Sequence, residues 1–199
     1  MGRILTYDRD RVVRAARDVF WNRGYTDAGI GDLEQATGLG RSSLYHAFGS
    51  KKGLFEAVVA AYLSEVVRTR LAPLQEPDVS PEAIDRYIAE MRSALTSSSA
   101  RSRSGCLLLN AACSPIVDDE PDVRALVTAY TDELRRAVAA GVAARRPDLD
   151  GASSAALAEV CASLVISALV AARTDADAAA RTLDTIGGAL DAWDRRSPR

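Results

Sequence analysis

Apolar side chains recur at intervals of three and four residues along most of the chain, the spacing that aligns one face of an α-helix. Val12, Ala16, Val19 and Phe20 form one such stripe, on a helix expected to start near Asp8 or Asp10 and run to Asn22. A longer helix is expected from Ser50 to about Leu71, before Pro73. Leu54, Phe55 and Val58 open its apolar surface, and Val59, Tyr62, Leu63, Val66 and Val67 continue it. The segment from Pro73 to Pro81 reads as a linker, with Ser80 and Pro81 as the cap and first turn of the next helix. That helix carries Ile84, Tyr87, Ile88, Met91 and Leu95, and the serine- and arginine-rich stretch 97–105 follows it as a connector. CLLLNAAC at 106–113 is nearly all apolar and must be surrounded. Acids at Asp118, Asp119 and Glu120 precede Pro121, and Leu126, Val127, Tyr130, Leu134, Val138 and Val142 then descend one side to Arg145 and Arg146, a polarity that suits the helix dipole. Two regular stripes close the chain: Leu157, Val160, Cys161, Leu164, Val165, Ala168 and Leu169, then Ala179, Leu183, Ile186, Leu190 and Trp193. The pattern predicts an all-α protein of about nine helices.

Residues 24–55 depart from this long-helix pattern. Ile30, Leu33 and Ala36 mark one short helix, Gly38, Leu39 and Gly40 a tight break, and Leu44, Tyr45 and Phe48 a second short helix from about Arg41 to Phe48. Two short helices across a three-residue turn, with a compact apolar interior, meet the requirements of a helix-turn-helix that reads the major groove. A helix this short needs neighbours to hold it, and Leu44 and Phe48 are its anchors. That leaves Arg41, Ser42, Ser43, Tyr45 and His46 as candidates for the exposed side. Arginine reads guanine through two hydrogen bonds, and serine serves base edges or phosphate. Tyr45 and the Ser50, Lys51, Lys52 cluster combine hydroxyls, charge and free helix-start amides, which suit phosphate anchoring. The same spacing also fits an ordinary exposed corner ending in two lysines.

FWNRGY, GDLEQATG, the turn LG, RSSLYHAF and SKKGLF together resemble the DNA-binding domain of the TetR family of transcriptional regulators, over about Val12 to Leu63. The resemblance implies that Arg41, Ser42, Ser43 and His46 lie in or near the major groove, that Tyr45 and Lys51 hold the phosphate backbone, and that Gly24 and Tyr25 turn the chain after the first helix. It implies a helix-turn-helix head, residues 1–52, joined by the long helix to a helical effector-binding and dimerisation body, residues 53–199. The chain departs from the family at Gly29, usually threonine, at Gly40, usually serine, at Ser42, usually glycine, and at Ala47, usually histidine. Gly29 and Gly40 offer no side-chain acceptor to the first amides of the helices they precede.

Net charge is only -2, but its distribution is uneven. Residues 1–52 hold nine Arg or Lys against six acids, while the remainder holds 16 against 21. A basic end on an acidic body favours docking by that end, and Arg3, Arg9 and Arg11 could extend its reach to a phosphate or the minor groove. Three cysteines do not read as a disulfide framework. No stretch reads as a membrane span or signal peptide, so the expected location is the cytoplasm. The one histidine, His46, has no second histidine with which to build a metal cluster or catalytic triad. Neither a catalytic centre nor a cofactor or metal is expected.

The body is expected to bind a small molecule between its fourth and seventh helices, with Tyr62, Val66, Tyr87, Met91, Leu109 and Tyr130 as lining residues. Few charges fall on those faces, so an apolar or aromatic ligand fits best. The last two helices are expected to pair with those of a second copy in a four-helix interface through Leu157, Cys161, Leu164, Val165, Ala168, Leu183, Ile186, Leu190 and Trp193. Three functions remain open: a dimeric regulator, usually a repressor by resemblance, that binds double-stranded operator DNA and responds to a small-molecule effector; a regulator switched by an oxidant or electrophile at Cys106, which follows Gly105 at a helix start near Arg101 and Arg103; and a helical interaction module that reads no DNA.

Overall fold

In a computed structural model, residues 7–97 and 104–193 are described, and among them every regular element is helical. Helix α1 (Arg9–Asp27) opens under Asp8, whose carboxylate accepts the Asp10 and Arg11 amides at 3.0 and 3.1 Å. Gly24, with φ of 79°, kinks its last turn. Helices α2 (Ile30–Thr37) and α3 (Arg41–Phe48) follow, and Phe20, Leu33, Leu44, Phe48 and Phe55 are buried with them. Phe20 meets Phe55 edge-on at 5.2 Å, which fixes α1 against the next helix.

That next helix begins under the hydroxyl of Ser50, which accepts the Gly53 amide at 3.0 Å. It runs as α4 (Lys51–Tyr62), a π-helical segment (Leu63–Val67) and α5 (Arg68–Leu71) without leaving helical geometry. The expected rod from Ser50 to Leu71 is therefore present, with a wider turn in its middle that a repeat of threes and fours does not reveal. A 3-10 turn, Ala72–Leu74, ends it at Pro73.

The body comprises α6 (Ala83–Thr96), α7 (Leu107–Ala112), the single turn α8 (Ile116–Asp119), α9 (Pro121–Arg145), α10 (Gly151–Ala171) and α11 (Ala176–Ala192). Helix α10 packs against α9 and α11, and α11 reaches back to α6. The close crossing of α9 on α6 needs Gly141, whose missing Cβ would stand 2.7 Å from Leu74 and 3.0 Å from Ile84.

Two expectations are corrected here. Helix α10 is, by length and composition, one helix long and apolar enough to cross a membrane, contrary to the sequence reading. Its apolarity comes largely from leucine, valine and isoleucine side chains, and only 39% of the apolar stretch is buried inside the chain. The stripes assigned to a dimer interface are turned inward: Leu157, Cys161, Val165, Ala168, Leu183, Ile186 and Leu190 are each at most 1% exposed. They form the chain's own core with α6 and α9, and a second copy cannot reach them without unfolding it. Leu164 and Trp193 are half-buried. What α10 shows to solvent is the opposite face, with Ala152, Ala156 and Glu159 before Val160 and with Ser163 and Ser167 between Val160 and Val170, which are 38% and 45% exposed.

Head and body interlock through α1. The buried guanidinium of Arg17 donates to Glu65 at 2.7 Å, and Arg14 reaches the same carboxylate at 3.3 Å. The Trp21 indole N–H donates to the Gly105 carbonyl at 3.0 Å, and its ring meets Tyr62 edge-on at 5.0 Å. Ser104 donates to Asn22 at 2.6 Å.

Candidate nucleic-acid interface and internal cavity

Helix α3 exposes Arg41, Ser42 and His46 to solvent, with Ser43 and Tyr45 half-buried along their edge. Leu44 and Phe48 face the head core. The Arg41 guanidinium lies 5.5 Å from the centroid of the Tyr45 ring, so the two candidates share one patch. Glycine precedes this helix, but the cap is not missing: the Glu34 carboxylate of α2 accepts the Arg41 amide. Asp32 likewise accepts the Gly29 amide at 3.0 Å at the start of α2, and Arg23 pairs with that carboxylate at 2.8 Å. Side-chain acceptors thus reach one amide at each of these helix starts, although neither takes the amide two or three residues on that a Ser or Thr cap would bind. At its other end α3 sits hard against α4. A Cβ on Gly53 would stand 2.1 Å from the Phe48 carbonyl oxygen, so this approach requires glycine.

The basic residues around α3 divide by what already holds them. Arg9 stacks over the Phe48 ring at 4.5 Å and donates to the Ala47 carbonyl at 3.2 Å, placing a cation at the C-terminal end of α3. Arg11 is exposed, and Arg3 lies outside the described residues. Lys51 donates to the Thr26 carbonyl at 3.3 Å and rests over Tyr25 at 4.6 Å, with partial burial pulling its pKa down and Asp27 opposing that shift. Lys52 is bound to Glu120 at 2.8 Å and Asp122 at 3.0 Å, and these bonds hold its pKa above the ordinary range. Lys52 therefore clips α4 to the start of α9.

A narrow cavity, with about 20 Å³ open to a water-sized molecule, lies beneath the long helix. Tyr62, Val66, Val67, Arg70 and Leu71 line it from that helix, and Tyr87 and Met91 from α6. Tyr130 and Leu134 of α9 and Leu169 of α10 complete the wall. Five of the six lining residues expected from the sequence meet here. Leu109 does not, because α7 turns it into the core. Arg70, absent from the sequence reading, adds the wall's one permanently charged group. Its signal was available: Tyr62, Val66 and Arg70 are spaced by fours.

Cys106 is buried behind this wall, at 1% exposure, between two phenols. Tyr62 donates to its sulfur at 3.5 Å, and its thiol donates to Tyr130 at 3.4 Å. Burial raises the pKa of Tyr62 and Tyr130 well above the usual tyrosine range, with Cys106 adding to it, and raises that of Tyr87 as well. All three phenols are neutral at physiological pH. Arg101 and Arg103, expected to activate the thiol, lie outside the described residues, and burial removes the solvent access expected of a reactive cysteine.

The sequence profile of bacterial regulatory proteins of the tetR family matches residues 12–58, from α1 into α4. The regulator CifR, solved with a 26-base-pair operator duplex, is 32% identical, with a TM-score of 0.76 over 98% of this chain and 100% of its own. The chain belongs to the TetR family of transcriptional regulators. A TetR regulator from Chloroflexus aurantiacus is 27% identical over 92% of this chain and 94% of its own, with a TM-score of 0.73. The repressor ComR of Escherichia coli is 32% identical over 123 residues, 61% of this chain and 57% of its own length. The regulator YezE of Bacillus subtilis is 31% identical over 119 residues, 60% of each chain. The chain thus spans under two thirds of the length of these two curated relatives.

Proposed function

We propose that the chain is a DNA-binding transcriptional repressor that acts as a homodimer in the cytoplasm and leaves its operator when a small molecule fills the cavity. Catalysis has no part in this reading. The observation that carries it is one continuous rod: it starts two residues beyond α3, and its middle and end line the cavity. A ligand that binds the DNA-free arrangement more tightly must oppose DNA binding to the same degree. Residues 1–52 form the reading head, with Arg41, Ser42, Ser43 and His46 toward the bases and Tyr45 and Lys51 toward the backbone. Residues 53–199 bind effector and partner. Two copies meet through the outer face of α10, around Val160 and Val170, with Leu164 and Trp193 at its margin. This sets the two α3 helices in successive major grooves, roughly 34–36 Å apart.

Selection of bound duplexes from a random pool, followed by titration of wild type and Arg41→Ala, tests the reading. Arg41→Ala is expected to cost about 1–3 kcal/mol and to relax preference at one base pair per half-site. Lys51→Ala is expected to weaken all sequences alike. Failure to enrich any sequence would refute specific DNA reading.

A further inference from the structure

We propose that the cavity is built for a small carboxylate with an apolar body, its anionic head held by Arg70 and Tyr87. The inference rests on the effector reading above and goes beyond it by naming the ligand's chemistry. Arg70 lines the cavity, and among the described residues it has neither an ion pair nor a hydrogen-bond partner. Its neighbour two residues earlier, Arg68, faces away and pairs with Glu133 at 3.5 Å. The residue is half-buried, so its guanidinium keeps part of its hydration, and a carboxylate in the cavity can meet it through two parallel hydrogen bonds. The charge also acts across the cavity, since it pulls the titration of both Tyr62 and Tyr87 downward against the effect of burial.

Tyr87 contributes the second polar group. Its side chain is 4% exposed, and its hydroxyl has no hydrogen-bond partner among the described residues. Burial keeps that hydroxyl protonated, so it offers a donor and suits an anion. Val66, Met91, Leu134 and Leu169 supply an apolar wall for the rest of the molecule. The space open to a water-sized molecule is about 20 Å³, well below the roughly 300–1,000 Å³ of small-molecule sites, so a ligand enters only as the wall side chains part. A single aromatic ring or a short alkyl chain bearing one carboxylate meets the polarity and asks least of that opening.

Calorimetry on the full-length protein with benzoate, phenylacetate and octanoate, each beside its uncharged primary amide, tests this. At least one acid is expected to bind about 10- to 100-fold more tightly than its amide, the range for a hydrogen-bonded charge. Arg70→Met is expected to abolish that preference by weakening acid binding far more than amide binding, Arg70→Lys to restore part of it, and Tyr87→Phe to reduce acid binding less. Unchanged thermal melting of Arg70→Met would show that the fold is intact. Equal affinity of acid and amide, acid binding indifferent to Arg70→Met, or no acid bound more tightly than about 1 mM would overturn the inference. Repeating the titrations with selected operator present separates the two claims. An Arg70-dependent acid that binds equally with and without DNA supports the anion site and refutes the effector switch. Operator release by the amides alone supports the switch and refutes the anion site.

Discussion

Replacing Glu65 with alanine isolates the link between head and body. Glu65 sits in the π segment beside Val66, which lines the cavity, and receives Arg17 and Arg14 from α1. Arg17 is 5% exposed, and without Glu65 its closest remaining carboxylate is Asp18, at 3.8 Å from Nε. Breaking a fully buried pair costs about 3–5 kcal/mol, whereas exposed pairs contribute about 0–1 kcal/mol. The Glu65 side chain is 40% exposed, so solvent screens part of the loss, and a cost of about 2 kcal/mol is expected. At this chain length that lowers Tm by about 4–8 °C. Thermal and urea unfolding of Glu65→Ala, Arg17→Met and the double variant read the pair directly, with a coupling of about 1–2 kcal/mol expected. Arg14→Ala, at an exposed position, is expected to cost under about 0.5 kcal/mol. Glu65→Ala is also expected to blunt ligand-driven release from operator while leaving ligand affinity near wild type. A loss below about 0.5 kcal/mol with no coupling in the cycle would reduce the contact to an ordinary surface pair and remove it from any account of signalling.

Glu34→Ala removes the acceptor at the start of α3 and is expected to cost about 0.5–2 kcal/mol, with operator affinity falling further than stability as α3 frays; hydrogen exchange at the Arg41 to Ser43 amides reads this. Val160→Asp with Val170→Asp is expected to convert the dimer to a folded monomer in sedimentation, whereas Leu190→Asp should unfold the chain by burying a charge. An intact dimer in the first variant would move the interface elsewhere. Timed alkylation is expected to modify exposed Cys113 first, with Cys106 and Cys161 protected until unfolding. Burial pushes the Cys161 thiol up to about 11, so its contribution to stability is complete below the ordinary value of roughly 8.5 and is lost as pH rises toward about 11; urea unfolding of wild type and Cys161→Ala across that range measures the difference.

Local chemistry was legible in the sequence; direction across space was not. The Ser50 cap, Pro121 at a helix start and the Leu44 and Phe48 anchors each act within a few residues, and each appears where the pattern put it. The stripe through Leu157 and Val165 announced burial, but periodicity cannot say whether the covering surface belongs to the same chain or to another. Both faces of α10 are apolar enough to bury, and the larger side chains went inward. The cap on Arg41 comes from a side chain seven positions away, beyond any local motif. Arg70 was hidden by the habit of counting charges as solvent-facing, although its spacing put it on the same face as Tyr62 and Val66.

The contacts of α1 set a rule for recombining this protein with its relatives. A cut at residue 52 looks like a clean seam along the chain, yet Arg17, Trp21 and Asn22 reach across it to Glu65, Gly105 and Ser104. A chimera that imports a foreign head whole would bring an α1 without those groups, leaving the Glu65 carboxylate and Gly105 carbonyl without their donors. The transferable cassette is smaller: α2 and α3, grafted between Gly29 and Gly49 with Gly53 retained, would change what is read and leave the gearing in place.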